Sequence, residues 1–185
     1  MSVSHPGRRV FLRGAMKLAA ASVAAPVAAR AAVLSAPGAR SLALAHTHTG
    51  ERVDLQYALS NNYVPAALQK LNHFLRDHYT GDVGLMDPQL FDLLHRLKTE
   101  VGSRGSFEVI SGYRCPATNG RLKATRGGGV AKRSLHMDGK AIDIRLPGVA
   151  LADLRDAALS LRAGGVGYYP RDQFIHVDTG RVRSW

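Results

Sequence analysis

Two short stretches, Ala141-Ile-Asp143-Ile-Arg145 and Phe174-Ile-His176-Val-Asp178, alternate between apolar and functional side chains. A period of two is the pattern of a strand with one buried face. It sets Asp143 and Ala141 on one face of the first strand, with Ile142 and Ile144 on the other. In the second strand, Phe174 apart, it sets His176 and Asp178 together on a single face. A fold that buries the isoleucines therefore turns a carboxylate and an imidazole to the opposite side. His136, in Ser134-Leu-His136-Met-Asp138-Gly139, lies on the loop entering the first strand, with Gly139 supplying the turn. If the two strands are neighbours, His136, Asp143 and His176 converge.

Two imidazoles and a carboxylate are the ligand set of a catalytic zinc site, in which three protein ligands leave a fourth position for water whose pKa falls to about 7. The expectation is one Zn2+ per chain, held by His136, Asp143 and His176. Gly127-Gly-Gly129, in a basic stretch between Arg126 and Arg133, lacks the strand, lysine and Ser/Thr of a nucleotide motif and is read as a loop beside the groove.

The segment Ser134-x-His136-x2-Gly139-x-Ala141-x-Asp143 resembles the signature of the LAS-type metallopeptidases, which include lysostaphin, the D-Ala-D-Ala peptidases and the hedgehog N-domain. Ser111-Gly-Tyr-Arg114, Gly164-Gly-Val-Gly-Tyr-Tyr-Pro170 and His176-Val-Asp178-Thr-Gly180, ending in Trp185, resemble one branch of that group, the MepK-type murein endopeptidases of the bacterial envelope. This likeness runs from about His46 onward. It implies peptidoglycan as the partner and substrate, and hydrolysis of a peptide cross-link as the reaction, leaning toward the bond between two diaminopimelates. It also implies that Arg114 holds a substrate carboxylate or steadies an oxyanion, and that Ser134 hydrogen-bonds substrate backbone.

The general base is open. Related D,D-peptidases place Glu three residues before the second His ligand, where this chain has Gln173, which cannot take a proton. Asp178 is the leading substitute, with orientation of a ligand or an arginine as an equal alternative role; Asp138, His46 and His48 follow. Two other functions stay in view, a zinc-containing peptidoglycan-binding module without turnover and a D,D-carboxypeptidase.

Arg8-Arg9-Val-Phe-Leu-Arg13 and the weakly apolar, Ala-rich run from Ala15 to Ala29 read as a twin-arginine signal over residues 1–31, implying the twin-arginine export machinery as a partner and a periplasmic destination. The run is short of the roughly 20 apolar residues of a span and is interrupted by Pro26, so no stable membrane anchor is expected after cleavage. Those 31 residues carry five basic side chains and no acid, so the formal charge of +11 falls to +6 without them. A moderately basic domain suits an anionic polymer, murein or nucleic acid. Export and the absence of a helix-turn-helix or finger pattern disfavour nucleic acid. Cys115 is the single cysteine, which excludes an intramolecular disulfide.

The remaining elements give an α+β domain over residues 41–185. Two alternating strands flank His48-Thr-Gly50-Glu51 as a hairpin. Helices are predicted from Pro65 to about His78, from Pro88 behind an Asp87 cap, near Pro116 to Ala124, and from Leu151 to Leu161. Further strands follow at Phe107–Ile110, Val166–Tyr169 and Phe174–Val177. The architecture expected is helices packed on a small antiparallel sheet that carries the zinc, hedgehog/D-Ala-D-Ala peptidase-like.

Overall fold

A computed structural model describes residues 1–2, 37–125 and 131–185. The predicted signal over residues 1–31, apart from its first two residues, and the glycine-rich stretch at 126–130 lie outside the described residues. The described chain is α+β, with eight strands and four helices: β1 (Ala39–His46), β2 (Arg52–Leu59), β3 (Asn62–Tyr63), α1 (Pro65–Phe74), α2 (Pro88–Glu100), β4 (Phe107–Ser111), α3 (Pro116–Thr125), β5 (Ala141–Arg145), α4 (Leu151–Ser160), β6 (Gly165–Tyr169), β7 (Phe174–Asp178) and β8 (Arg183–Ser184). No described helix is long and apolar enough to cross a membrane.

All eight strands form one sheet in the order β3-β2-β1-β4-β5-β7-β6-β8. The expectation of a small antiparallel sheet is corrected here: the sheet is mixed, because β1 pairs with β4, and β6 with β8, in parallel. The reason lies in the connections. The β1–β2 hairpin occupies one edge of β1, and the chain returns to its other edge only after α1 and α2, a crossover long enough for a parallel approach. The two-residue strands β3 and β8 extend the ends of the sheet.

Helix α2 starts where the sequence predicts, with Asp87 accepting a hydrogen bond from the Gln89 amide at 3.0 Å and Pro88 in the first turn. Helix α1 ends at Phe74 rather than near His78. Beyond it the Asp77 carboxylate takes the amides of Tyr79 and Cys115, both at 2.9 Å, and holds the chain in a turn.

The core lies on one face of the sheet. Ile142 and Ile144 of β5, and Ile175 and Val177 of β7, are buried with Phe107 and Val109 of β4, with Leu90, Leu94 and Leu97 of α2, and with Leu154 of α4. Fully burying one such side chain contributes about 1.5–3 kcal/mol, so the alternation of β5 and β7 is held firmly in phase. A one-residue slip would bury Asp143 and His176 among the leucines and isoleucines.

Candidate metal centre

The face of β5 and β7 opposite the isoleucines carries the functional side chains. The two strands are antiparallel neighbours with Asp143 directly opposite His176 and Ala141 opposite Asp178. His136 arrives from the tight turn before β5. There the Met137 amide donates to the Ser134 carbonyl at 3.0 Å, and Ser134 Oγ accepts from the His136 amide at 3.4 Å. Gly139 closes this turn at φ +65°, and a Cβ there would fall 1.9 Å from the Leu85 carbonyl oxygen.

The structure brings His136, Asp143 and His176 together, each nearly buried. His136 Nε2 lies 3.3 Å from His176 Nδ1 and 3.3 Å from Asp143 Oδ1, and His176 Nδ1 lies 2.9 Å from Asp143 Oδ1. Ligands about 2.0–2.1 Å from a tetrahedral zinc are separated from one another by roughly 3.3 Å, close to these edges. The far side of each ring is also fixed. His136 Nδ1 donates to the Gly112 carbonyl at 2.7 Å, and His176 Nε2 donates to Asp178 Oδ2 at 3.0 Å. A carbonyl and a carboxylate can only accept, so each imidazole carries a proton on its outer nitrogen, and with a cation between them the inner nitrogens and Asp143 would all face it with electron pairs. Three converging electron-pair donors fit a cation. A proton is the alternative: burial opposes charge on His176, but its hydrogen bonds to Asp143 and Asp178 outweigh burial and raise its pKa to about 9.

Asp178 is fully buried. Its Oδ1 accepts from the amides of Gly165 and Gly180 at 2.9 and 2.8 Å and from Arg183 Nη1 at 3.1 Å; its Oδ2 accepts from His176 and from Arg183 Nη2 at 2.7 Å. Burial alone would raise its pKa, yet these donors hold it well below the usual carboxylate range. Asp143 is likewise depressed, its burial offset by His136 and His176.

A cleft of about 290 Å3 opens over the three donors, lined also by Arg114, Arg133, Ser134, Tyr169, Phe174, Arg183 and Trp185. Arg114 Nη2 lies 3.9 Å from Asp143 Oδ2 and 3.4 Å from Ser111 Oγ. Gln173 stands elsewhere, in the β6–β7 turn at φ +57°, with its side-chain amide donating to the Pro170 carbonyl. Gln173 thus does not line the cleft. Asp138 is exposed and, like His46 and His48, does not line the cleft. His46 and His48 instead gather with His78, the last two rings stacked at 4.2 Å.

Sequence reasoning missed Arg183 and assigned no role to Tyr169, Phe174 or Trp185. The Trp185 ring lies 5.2 Å from the His176 ring, and its Nε1 donates to the Tyr169 hydroxyl at 2.7 Å, while Tyr169 stacks on Phe174. The Trp185 contacts come from the short β8 pairing and its flank, which no periodic pattern announces, while Tyr169 and Phe174 face each other across β6 and β7.

An α+β domain with such a donor set at the floor of an arginine-rimmed cleft has the build of a peptidase that works with a metal ion. The sequence model of the family described as "Peptidoglycan L,D-endopeptidase MepK" matches residues 34–185, and the chain belongs to that family. It is 45% identical over 178 residues to the Peptidoglycan L,D-endopeptidase MepK of Escherichia coli (strain K12), covering 96% of each chain. It is also 46% identical over 155 residues, 83% of each chain, to the Probable peptidoglycan L,D-endopeptidase MepK of Haemophilus influenzae.

Proposed function

We propose that this protein is a zinc-dependent peptidoglycan endopeptidase that hydrolyses peptide cross-links, with the bond between two diaminopimelates as its target. The observation that carries this reading is the convergence of His136 Nε2, Asp143 Oδ1 and His176 Nδ1 at separations of 2.9 to 3.3 Å, each imidazole anchored from behind. The names borne by the relatives support the substrate, and "L,D-endopeptidase" favours this bond over that of a D,D-carboxypeptidase.

When bound, zinc supplies Lewis acidity, lowering the pKa of a water to about 7 and polarising the scissile carbonyl. The protein's own residues do the rest. Asp143 and the two imidazoles hold the ion, and Gly112 and Asp178 fix the ring orientations. Arg114, beside Asp143 and on the cleft wall, is placed to bind a stem carboxylate or a developing oxyanion. Ser134 on the same wall offers a hydroxyl to substrate backbone. Asp178 serves as a positioning residue rather than the base: five donor contacts occupy its oxygens, and it does not line the cleft. This is the ligand-orienting alternative that the sequence left open.

The same reading makes residues 1–31 a twin-arginine leader, residues 41–185 the working domain, and the periplasm its place of action, since cross-linked peptidoglycan lies outside the cytoplasmic membrane.

The test is incubation of purified, zinc-loaded protein with two defined muropeptide dimers, one linked between diaminopimelates and one between D-Ala and diaminopimelate, with products identified by mass. Monomers from the first dimer alone are expected. Cleavage of the second alone would reassign the bond, and binding of either without product would make the protein a binding module.

A further inference from the structure

Gly164-Gly165-Val166-Gly167 has no place in the chemistry above, yet it packs against the back of the metal centre. Strand β6 runs beside β7 and, on its other edge, takes up β8 in parallel, pairing Gly165 with Arg183. A Cβ on Gly165 would fall 2.4 Å from Arg183 Nη1 and 2.5 Å from Asp178 Oδ2. A real Cβ does not come so close to a non-bonded atom, and the space above Gly165 is occupied by an ion pair. Asp178 and Arg183 fill it with two parallel hydrogen bonds, at 3.1 and 2.7 Å, the fork geometry that only a guanidinium provides. Trp185 then lies over both partners of the site, 4.8 Å from the Arg183 guanidinium and 5.2 Å from the His176 ring.

We propose that Arg183 is a positioning residue for the metal centre. Seated above Gly165, it clamps the Asp178 carboxylate so that Asp178 presents Oδ2 to His176 Nε2 and leaves Nδ1 aimed at the ion. The inference rests on the zinc reading above. The geometry gives the clamp a definite task. Without the fork, Oδ1 keeps the amides of Gly165 and Gly180, but Oδ2 keeps only the His176 ring, so the oxygen that orients the imidazole is steadied by nothing except the ring it must orient. A tilt of the carboxylate carries the imidazole with it, and partners behind a metal-ligating imidazole are typically worth 10- to 100-fold in metal affinity. Arg183 reaches the metal only through Asp178 and His176, which separates its role from that of Arg114 on the cleft wall.

The experiment measures zinc affinity by chelator competition in the wild type, Arg183→Ala, Arg183→Lys and Gly165→Ala, at a temperature where circular dichroism shows each to be folded. Trp185 is the only tryptophan of the chain, so its emission on zinc addition gives a second, independent readout in the same samples. The clamp predicts a zinc Kd raised 10- to 100-fold in Arg183→Ala and Gly165→Ala. Arg183→Lys, which restores the charge but not the fork, is expected to recover only part of the loss. A purely structural arginine would lower the thermal midpoint and leave the zinc affinity of the folded protein unchanged. Wild-type affinity in the folded Arg183→Ala protein, or in Arg183→Lys and Gly165→Ala should the alanine variant not fold, overturns the clamp. Failure of the wild type to bind zinc at all would instead overturn the metal reading on which it rests.

Discussion

The Nδ1 of His136 lies 2.7 Å from the carbonyl oxygen of Gly112, on the loop that leaves β4. That carbonyl holds a proton on the outer nitrogen of His136 as Asp178 does for His176. Gly112 is held in turn: a Cβ there would fall 2.6 Å from the Leu75 carbonyl oxygen, which accepts the neighbouring Tyr113 amide at 2.7 Å. Gly112→Ala must therefore move the loop. The expected outcome is a zinc Kd raised about tenfold or more, read by chelator competition. Unchanged affinity would show that His136 is held by its own turn.

Chelation provides the broadest test of the centre. Removing the metal should abolish cross-link hydrolysis and lower the thermal midpoint, because a ligand present at 100 times its Kd stabilises the folded state by about 2.7 kcal/mol. Adding zinc back should restore both. In His136→Ala and His176→Ala, zinc should leave the midpoint where it was; a wild-type shift in either variant would remove that residue from the ligand set.

Arg114 is distinguished from a surface cation by what replaces it. Arg114→Ala should reduce kcat/KM by about 10², the lower end of the range for losing an oxyanion-stabilising donor, with only a small change in thermal midpoint. Arg114→Lys should recover little, since an ammonium cannot make a bidentate contact. Equal turnover in the three proteins would place its role outside the reaction.

The histidine group beside the β1–β2 turn predicts a stability change with pH. Burial, together with the neighbouring imidazoles, lowers the pKa of His46 to about 4, and burial and His48 do the same to His78. In the unfolded chain both titrate near 6.5. Between those values the unfolded state binds more protons, so stability falls as pH drops from about 6.5 to about 4, and this contribution is complete below that. Urea midpoints across this window should decline less steeply in His78→Asn than in the wild type. Parallel pH profiles would show that these rings do not carry the effect.

Export is tested at Arg8 and Arg9, which lie outside the described residues. Replacing both with lysine should leave the precursor in the cytoplasm, as judged by fractionation. Normal export of that variant, or of the wild type in a strain lacking the twin-arginine route, would point to the general secretory route.

What was legible in the sequence was what a short period encodes. Ile142, Ile144, Ile175 and Val177 must face the core, and this alone sends Asp143 and His176 to a common face. The Asp87-Pro88 start of α2 is equally local. Partner choice between strands is not: Leu42 and Leu44 bury the same face whether β4 lies parallel or antiparallel to β1, so the mixed topology had no sequence signature. The end of α1 was hidden because Asp77 is drawn to Cys115, 38 residues away. Arg183 was hidden because its partner Asp178 is five residues distant across an irregular bend, where neither strand nor helix spacing applies. The spacing that singles out Gln173 comes from related peptidases and carries no information on the β6–β7 turn in which the residue sits at positive φ.

Around the cleft stand Arg114, Arg133 and Arg183, while Asp143 is the only carboxylate among the described residues that line it. Hydrolysis of an amide turns a neutral bond into an acid and an amine, and in this cleft the two halves do not depart on equal terms. If Arg114 binds a stem carboxylate as proposed, the new ammonium is repelled, and the new carboxylate is held by the same guanidinium that drew in the acidic stem peptide, while Arg183, engaged by Asp178, adds only its charge. On that reading affinity for substrate and retention of product have one origin, and added salt, by screening both, should slow capture of the polymer while easing the exit of the cut strand.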